Sequence, residues 1–179
     1  MRRFIVGVMG AGEGADPRDV ANARRLGELI AREGWIVLSG GRDAGVMNAV
    51  NEGAKTVEQS LTVGILPSRS SSVSRWVDVA IVSDMNEARN NINVLSSDVI
   101  VACGAGGAGT VSEIALALKA EKNVVLLTED ELSRDFFQSV SRGRISFCQS
   151  AEEVMEAIKK LATEPQSNGT ATKKKTNSL

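Results

Sequence analysis

Gly104, Gly106, Gly107 and Gly109 crowd into one short stretch. It lies between an apolar run, Val99-Ile-Val-Ala-Cys103, and a helix-forming run that begins at Thr110. A plain turn needs only one or two glycines, and each extra one costs backbone entropy on folding. In return the stretch offers backbone without Cβ atoms, free to take positive φ and open to close approach by a ligand. The helix that follows leaves its first N–H groups unpaired and carries partial positive charge at that end. Such a combination forms a cradle for an anion, most often phosphate. Two further glycine turns, Gly10-Ala-Gly12-Glu-Gly14 and Gly40-Gly41-Arg42-Asp43-Ala44-Gly45, also follow apolar runs. Polar residues able to line a shared cleft are Arg42, Asp43, Asn86, Arg89, Asn90, Asn93 and Glu113.

The composition narrows what such a cleft can do. The chain has no His and no Tyr. That removes His-based acid–base catalysis, Ser-His-Asp and Cys-His nucleophiles, and His-ligated zinc. Cys103 and Cys148 form no CxxC pair and read as small buried thiols, so no metal site is expected. A net charge of −1 gives no basic face for nucleic acid. The N-terminal run Phe4–Met9 is interrupted by Gly7 and Gly10, too short for a signal peptide or a membrane span, which makes the expected location cytoplasmic.

The elements that must position these residues alternate. Strand-like runs are Phe4–Met9, Trp35–Ser39, Leu61–Leu66, Trp76–Val82, Asp98–Cys103, Val124–Leu127 and Arg144–Phe147. Between them lie helical patterns at Val20–Ile30, Val46–Val57, Asn86–Ser96, Thr110–Ala120 and Leu132–Val140. Asp16 with Pro17 suits a helix start, Gly34 a helix end, and Ser150-Ala-Glu-Glu153 a capping box opening a last helix to about Ala162. This spacing predicts an α/β, Rossmann-like doubly wound sheet, mostly parallel, with helices on both faces. The expected organisation is a single domain over residues 1–163 with a disordered tail over 164–179. Asn168-Gly-Thr170 in that tail matches a glycosylation sequon by chance, given a cytoplasmic location. In such sheets ligands bind beyond the carboxyl ends of the strands, and all three glycine turns fall on that edge. The polar segment Ser68–Arg75 reads either as a solvated loop or as a flap over an anion.

The loop itself admits several readings. Gly104-x-Gly106-x-x-Gly109 formally matches the dinucleotide fingerprint, and Asp130 follows at about the expected distance. That fingerprint belongs in a first βαβ unit, whereas this one comes after several, so NAD and FAD are not expected. Thr110-Val-Ser-Glu113 alternatively forms a capping box that serves only its own helix.

A family resemblance supplies another reading. Ala105-Gly-Gly-Ala-Gly-Thr-Val-Ser-Glu113 is similar to the P-G-G-x-G-T-x-x-E motif of the LONELY GUY family, also known as the "possible lysine decarboxylase" superfamily. Gly40-Gly41 with Gly45-Val-Met47 resembles that family's first glycine motif, and the likeness runs from Phe4 to about Ala162. Arg89-Asn-Asn-Ile-Asn93 before Ser97-Asp98, and Thr110–Leu118 after it, resemble the branch of molybdenum cofactor carrier proteins. The resemblance implies a Rossmann-like fold and a homo-oligomer, dimer or tetramer. It also implies a cofactor-binding cleft from Gly10, Gly12, Gly40, Gly41, Arg42, Asp43, Arg89, Asn90, Asn93, Gly106, Gly107, Gly109, Thr110 and Glu113. As a carrier, the chain would hold molybdopterin or another anionic pterin phosphate, with amides of Gly106, Gly107, Gly109 and Thr110 around the phosphate. The enzyme branch of the family hydrolyses nucleoside 5′-monophosphates, with Arg89 and Glu113 matching its Arg and catalytic Glu. In that branch a lysine stands where this chain has Asn90, and a proline where it has Ala105. A nucleotide-sensing module is the remaining reading.

Overall fold

A computed structural model describes residues 2–163; the expected tail and its sequon lie outside the described residues. Each apolar run forms a strand: β1 (Ile5–Gly10), β2 (Ile36–Ser39), β3 (Leu61–Leu66), β4 (Val79–Val82), β5 (Val99–Cys103), β6 (Val124–Leu127) and β7 (Ile145–Cys148). Among the described residues they make one sheet in the order β4-β3-β2-β1-β5-β6-β7, parallel at every pairing. The interior strand β5 is buried along its whole length, which explains why it reads as a continuous apolar run rather than an alternating one.

The helices are α1 (Pro17–Arg32), α2 (Gly45–Ala54), α3 (Arg89–Ser96), α4 (Ala108–Lys119), α5 (Glu131–Val140) and α6 (Ala151–Thr163). From β1 to β4 the chain steps outward in one direction; it then returns to lay β5 against the other side of β1. Crossovers between parallel strands are right-handed, so reversing direction moves the helices to the opposite face. Two buried clusters follow. One gathers Val50, Leu26, Val154 and Ile158 from α2, α1 and α6; the other gathers Val94, Ile114 and Phe137 from α3, α4 and α5.

Local signals explain several helix ends. Asp16 accepts the amide of Arg18 at 2.8 Å with Pro17 at the first helical position. Gly34, at φ +71°, closes α1 by donating to the Ala31 carbonyl at 2.9 Å. Ser150 accepts the Glu153 amide at 3.2 Å, and Glu153 reaches back to the Gln149 amide at 2.9 Å. Cys103 and Cys148 are free, buried thiols, and burial pushes both up, Cys148 to about 11. Among the described residues no helix is long and apolar enough to cross a membrane.

Three elements differ from the sequence expectation. β4 begins at Val79, because Trp76 and Asp78 instead bond Thr62 at the start of β3. The pattern at Asn86–Ser96 opens with a 3-10 turn, Asn86–Ala88, before α3. α4 begins at Ala108, two residues before Thr110, which changes the role of both Thr110 and Glu113.

Glycines Gly27 and Gly53 hold α1 and α2 together. A Cβ on Gly27 would lie 2.0 Å from the Val50 carbonyl oxygen, and one on Gly53 1.8 Å from that of Arg24. The two helix backbones therefore touch, and the first turn of α2 meets the turn after β1, where the Val46 amide donates to the Ala11 carbonyl at 3.0 Å. Alanine is favoured over glycine in a helix interior by about 1 kcal/mol. An overpacked contact between backbones costs more, about 1–3 kcal/mol and upward. Gly53→Ala is therefore expected to destabilise the protein by about 2 kcal/mol, read as a lower urea midpoint with an unchanged slope.

Candidate functional site

The β1–β5 pairing runs to the last residues of both strands, Gly10 opposite Cys103. The turns leaving β1, β2 and β5 thus emerge side by side at the carboxyl edge, around a cavity of about 220 Å³. Of the residues expected there, Gly10, Gly12, Gly40, Arg42, Arg89, Asn90, Gly106, Gly107, Gly109, Thr110 and Glu113 line it.

Four expected residues do not, among them Asn86, which is exposed in the 3-10 turn before α3. Gly41, at φ +69°, is packed against the backbone of Gly64, where it serves the turn rather than a ligand. Asp43 is exposed outside the cavity, and its amide donates to the Ser72 carbonyl. Asn93 is fully buried behind the cavity wall, donating to Glu113 at 2.9 Å.

The glycines divide by what surrounds them. A Cβ on Gly40 would come within 2.6 Å of Arg89 Nη1, so this residue is small to admit the guanidinium reaching over from α3. On Gly106, Gly107 or Gly109 a Cβ would meet nothing within 4 Å. Nor do these three take positive φ; Gly107 is extended at −178°. The chain's own packing and geometry therefore do not require them. They keep open the space in front of α4.

Amides face that space. α4 has no side-chain cap, and its first intrahelical bond is Val111 to the Gly107 carbonyl. The amides of Ala108, Gly109 and Thr110 are left as the free donors of the helix N-terminus. The Gly107 amide is engaged by the Ala105 carbonyl at 2.9 Å, so Gly107 contributes space and not a donor. Because the helix starts at Ala108, Thr110 sits inside it and the capping-box reading of Thr110 and Glu113 does not hold.

Glu113 is instead the buried acid of the site. It is 6% exposed and lies 3.7 Å from Arg89, itself 7% exposed. Burial pushes the Glu113 carboxyl up to about 7, against the opposing pull of the Asn93 hydrogen bond and the Arg89 charge. The Nε of Arg89 and the Oδ1 of Asn93 have no partner among the described residues. Asn90 donates to Ser112 on α4 at 3.1 Å. Sequence reasoning missed Glu13, Met47, Pro67 and Glu87 in the wall. Glu13 was legible as a charge inside the first glycine turn, where it pairs with Arg42 at 3.4 Å.

The Ser68–Arg75 segment is strapped down. Val73 bridges Arg42, the Ser74 amide donates to the Gly41 carbonyl, and the buried Ser74 hydroxyl donates to Asn48 at 2.7 Å. Its arginines do not line the cavity: Arg75 stacks over Trp76, with its guanidinium 5.0 Å from the ring centroid.

The profile of the SLOG cluster4 family matches residues 3–156. The molybdenum cofactor binding protein from the phototrophic bacterium Rippkaea orientalis has 53% sequence identity and a TM-score of 0.88, over 91% of this chain and 99% of that one. The Moco carrier protein from Chlamydomonas reinhardtii has 42% identity and a TM-score of 0.84, over 90% of this chain and 98% of that one. An uncharacterized protein from Archaeoglobus fulgidus is 45% identical over 127 residues, 71% of this chain and 82% of that protein.

The raised Glu113 carboxyl has a consequence for stability. In the unfolded chain it loses its proton near the ordinary 4.5, and in the native state only near 7. Between these values the native state binds more protons, so stability falls as pH rises through the window and levels off above it. Burial raises the half-buried Asp19 carboxyl as well, and its contribution stays in place when Glu113 is substituted. Denaturant unfolding at pH 5 and pH 8 should show a fall on the order of 2 kcal/mol in the wild type. Most of that fall should be missing in Glu113→Gln, whatever its absolute stability.

Proposed function

The chain belongs to the SLOG cluster4 family, and from this footing we propose that it is a carrier that holds the molybdenum cofactor by its phosphate in this cleft. One observation carries the reading. Three exposed glycines that the protein's own packing does not require open a space onto the free amides of a helix N-terminus. Backbone amides aimed along a helix axis suit a phosphate. The likeness to a molybdenum cofactor binding protein and to a Moco carrier protein supports this cargo over other phosphorylated compounds.

In this reading Ala108, Gly109 and Thr110 donate to the phosphate. Arg89 adds a charge-assisted bond from its unpartnered Nε. Arg42 screens the mouth. Asn90 belongs to the wall, a neutral amide held by Ser112 at the position where the resemblance implies a lysine in hydrolases. Two buried free thiols suit a cytoplasmic site of action.

A second reading is favoured by Glu113 alone. A carboxyl poised near 7 beside an arginine suits acid–base work on a nucleoside 5′-monophosphate. Incubation with AMP separates the two. The carrier releases no free base or ribose 5-phosphate; the hydrolase does so, and Glu113→Gln abolishes it.

A homo-oligomer goes with the carrier reading. Edge strand β4 exposes Val79, Ile81 and Val82, an aliphatic edge suited to cover by a second copy. Sedimentation of the full chain should give a dimer or tetramer, and Ile81→Lys should shift it toward monomer.

Calorimetry tests the cargo directly. Wild-type protein is expected to bind molybdopterin and simpler pterin phosphates. Arg89→Ala should weaken binding by roughly tenfold or more, the loss of one charge-assisted bond. Absence of binding at millimolar ligand would end the proposal.

A further inference from the structure

A second cavity, of about 390 Å³, opens on the other side of the glycine loop. Its floor is formed where β5, β6 and β7 end, at Gly104, Leu127 and Gln149, and α1 supplies the facing wall. Gly106 borders both cavities, so the glycine loop is a saddle between them. A Cβ there would meet no atom of the described residues within 4 Å, so the space over Gly106 is open.

Four carboxylates line this second cavity, and three have structural duties. Asp16 caps α1, Asp130 caps α5 by accepting the Ser133 amide at 2.9 Å, and Glu129 pairs with Arg18. Asp19 remains. Its carboxylate is pressed against the start of the loop, so closely that a Cβ on Gly104 would lie 2.2 Å from Oδ2. It is half-buried, and among the described residues no group donates a hydrogen bond to it. Burial, with the nearby Asp16 charge, pushes it above the usual carboxylate range. Asn22, one helical turn on, faces the same cavity. Among the described residues no group of three acidic or thiol side chains could hold a metal ion. A half-buried carboxylate without a donor, one loop away from a phosphate cradle, calls for a ligand with N–H donors at one end and phosphate at the other.

We propose that the second cavity is the heterocycle subsite of the cradle's own ligand, with the Asp19 carboxylate accepting two adjacent N–H donors from a 2-amino-4-oxopyrimidine edge. The inference rests on reading the first cleft as a phosphate site. A carboxylate matches that edge with two parallel charge-assisted bonds. Both pterins and guanine carry it, so experiment must tell the two sources apart. The ligand would straddle Gly106, phosphate on the α4 side and ring against α1.

The test uses the full chain and four probes: inorganic phosphate, 6-hydroxymethylpterin phosphate, its 2-oxo (lumazine) counterpart, and GMP. The wild type should bind the pterin phosphate at least about tenfold tighter than the 2-oxo counterpart, because a site built to pair an N–H group rejects the analogue lacking it. Asp19→Asn should erase that preference while binding of inorganic phosphate stays within about twofold. Asp19→Ser should do the same, and thermal unfolding verifies that both variants are folded. GMP binding more tightly than the pterin phosphate, with the same dependence on Asp19, would assign the subsite to a guanine nucleotide. A preference that survives both substitutions overturns the subsite and leaves the cradle intact. Failure of the wild type to bind any of the four probes overturns the cradle, and the subsite with it.

Discussion

The return of the chain to β1 is the constraint on which the site depends. Had β5 continued outward past β4, its glycine turn would lie at the far edge of the sheet. Instead β5 pairs with β1 through five successive residues, ending at Gly10 opposite Cys103. A doubly wound sheet splits its helices to opposite faces at such a point, and a crevice opens between them. Here the turns of β1 and β2 form one wall and the turn of β5 the other. The apolar runs that bury the sheet thus also determine where polar chemistry can occur.

Within that crevice the costly feature is the Arg89–Glu113 pair. Both groups are nearly fully buried, yet their closest approach of 3.7 Å is too long for a good hydrogen bond. A buried pair of this quality gives little net stability, since desolvation offsets the attraction. The fold nevertheless accommodates it at several points. Gly40 gives up a side chain for the guanidinium, Asn93 donates to the carboxylate from behind, and Asn90 braces α3 against α4. Structure assembled around a pair that contributes little to stability is better explained by what the pair does when something enters the cleft.

Much of this was legible in the sequence. The strand–helix alternation, the parallel sheet and the three glycine turns at one edge follow from apolar runs and punctuation by glycine. Arg89 and Glu113 enter the site through the family resemblance, and their contact with each other shows only in the structure. What was not legible is side-chain direction and exact helix starts. A two-residue difference in where α4 begins moves Glu113 from a helix cap to the buried acid of the site. Asn93, on α3 like Arg89, lies just one turn further along, but that turn carries it behind the wall. Asp43 follows Arg42 directly and is pulled outward because its backbone is bridged to Ser72. The packing of α1 on α2 was hidden as well, since Gly27 and Gly53 look like helix weakeners until the two backbones are seen to touch.

The charge balance of the cleft decides how an anion is held there. Arg42 is engaged by Glu13 and Arg89 lies against Glu113, while Glu87 adds a further negative charge at the wall. The cleft therefore has no surplus of cationic charge. Attraction must come chiefly from uncharged amides at the start of α4, whose positive end acts within the first turn. In the carrier reading an anion placed there would share the buried Arg89 guanidinium with Glu113. Burial already pushes that carboxyl up to about 7, and a second negative charge beside a carboxyl favours its neutral form, so the acid would adapt by holding its proton rather than by leaving the cleft.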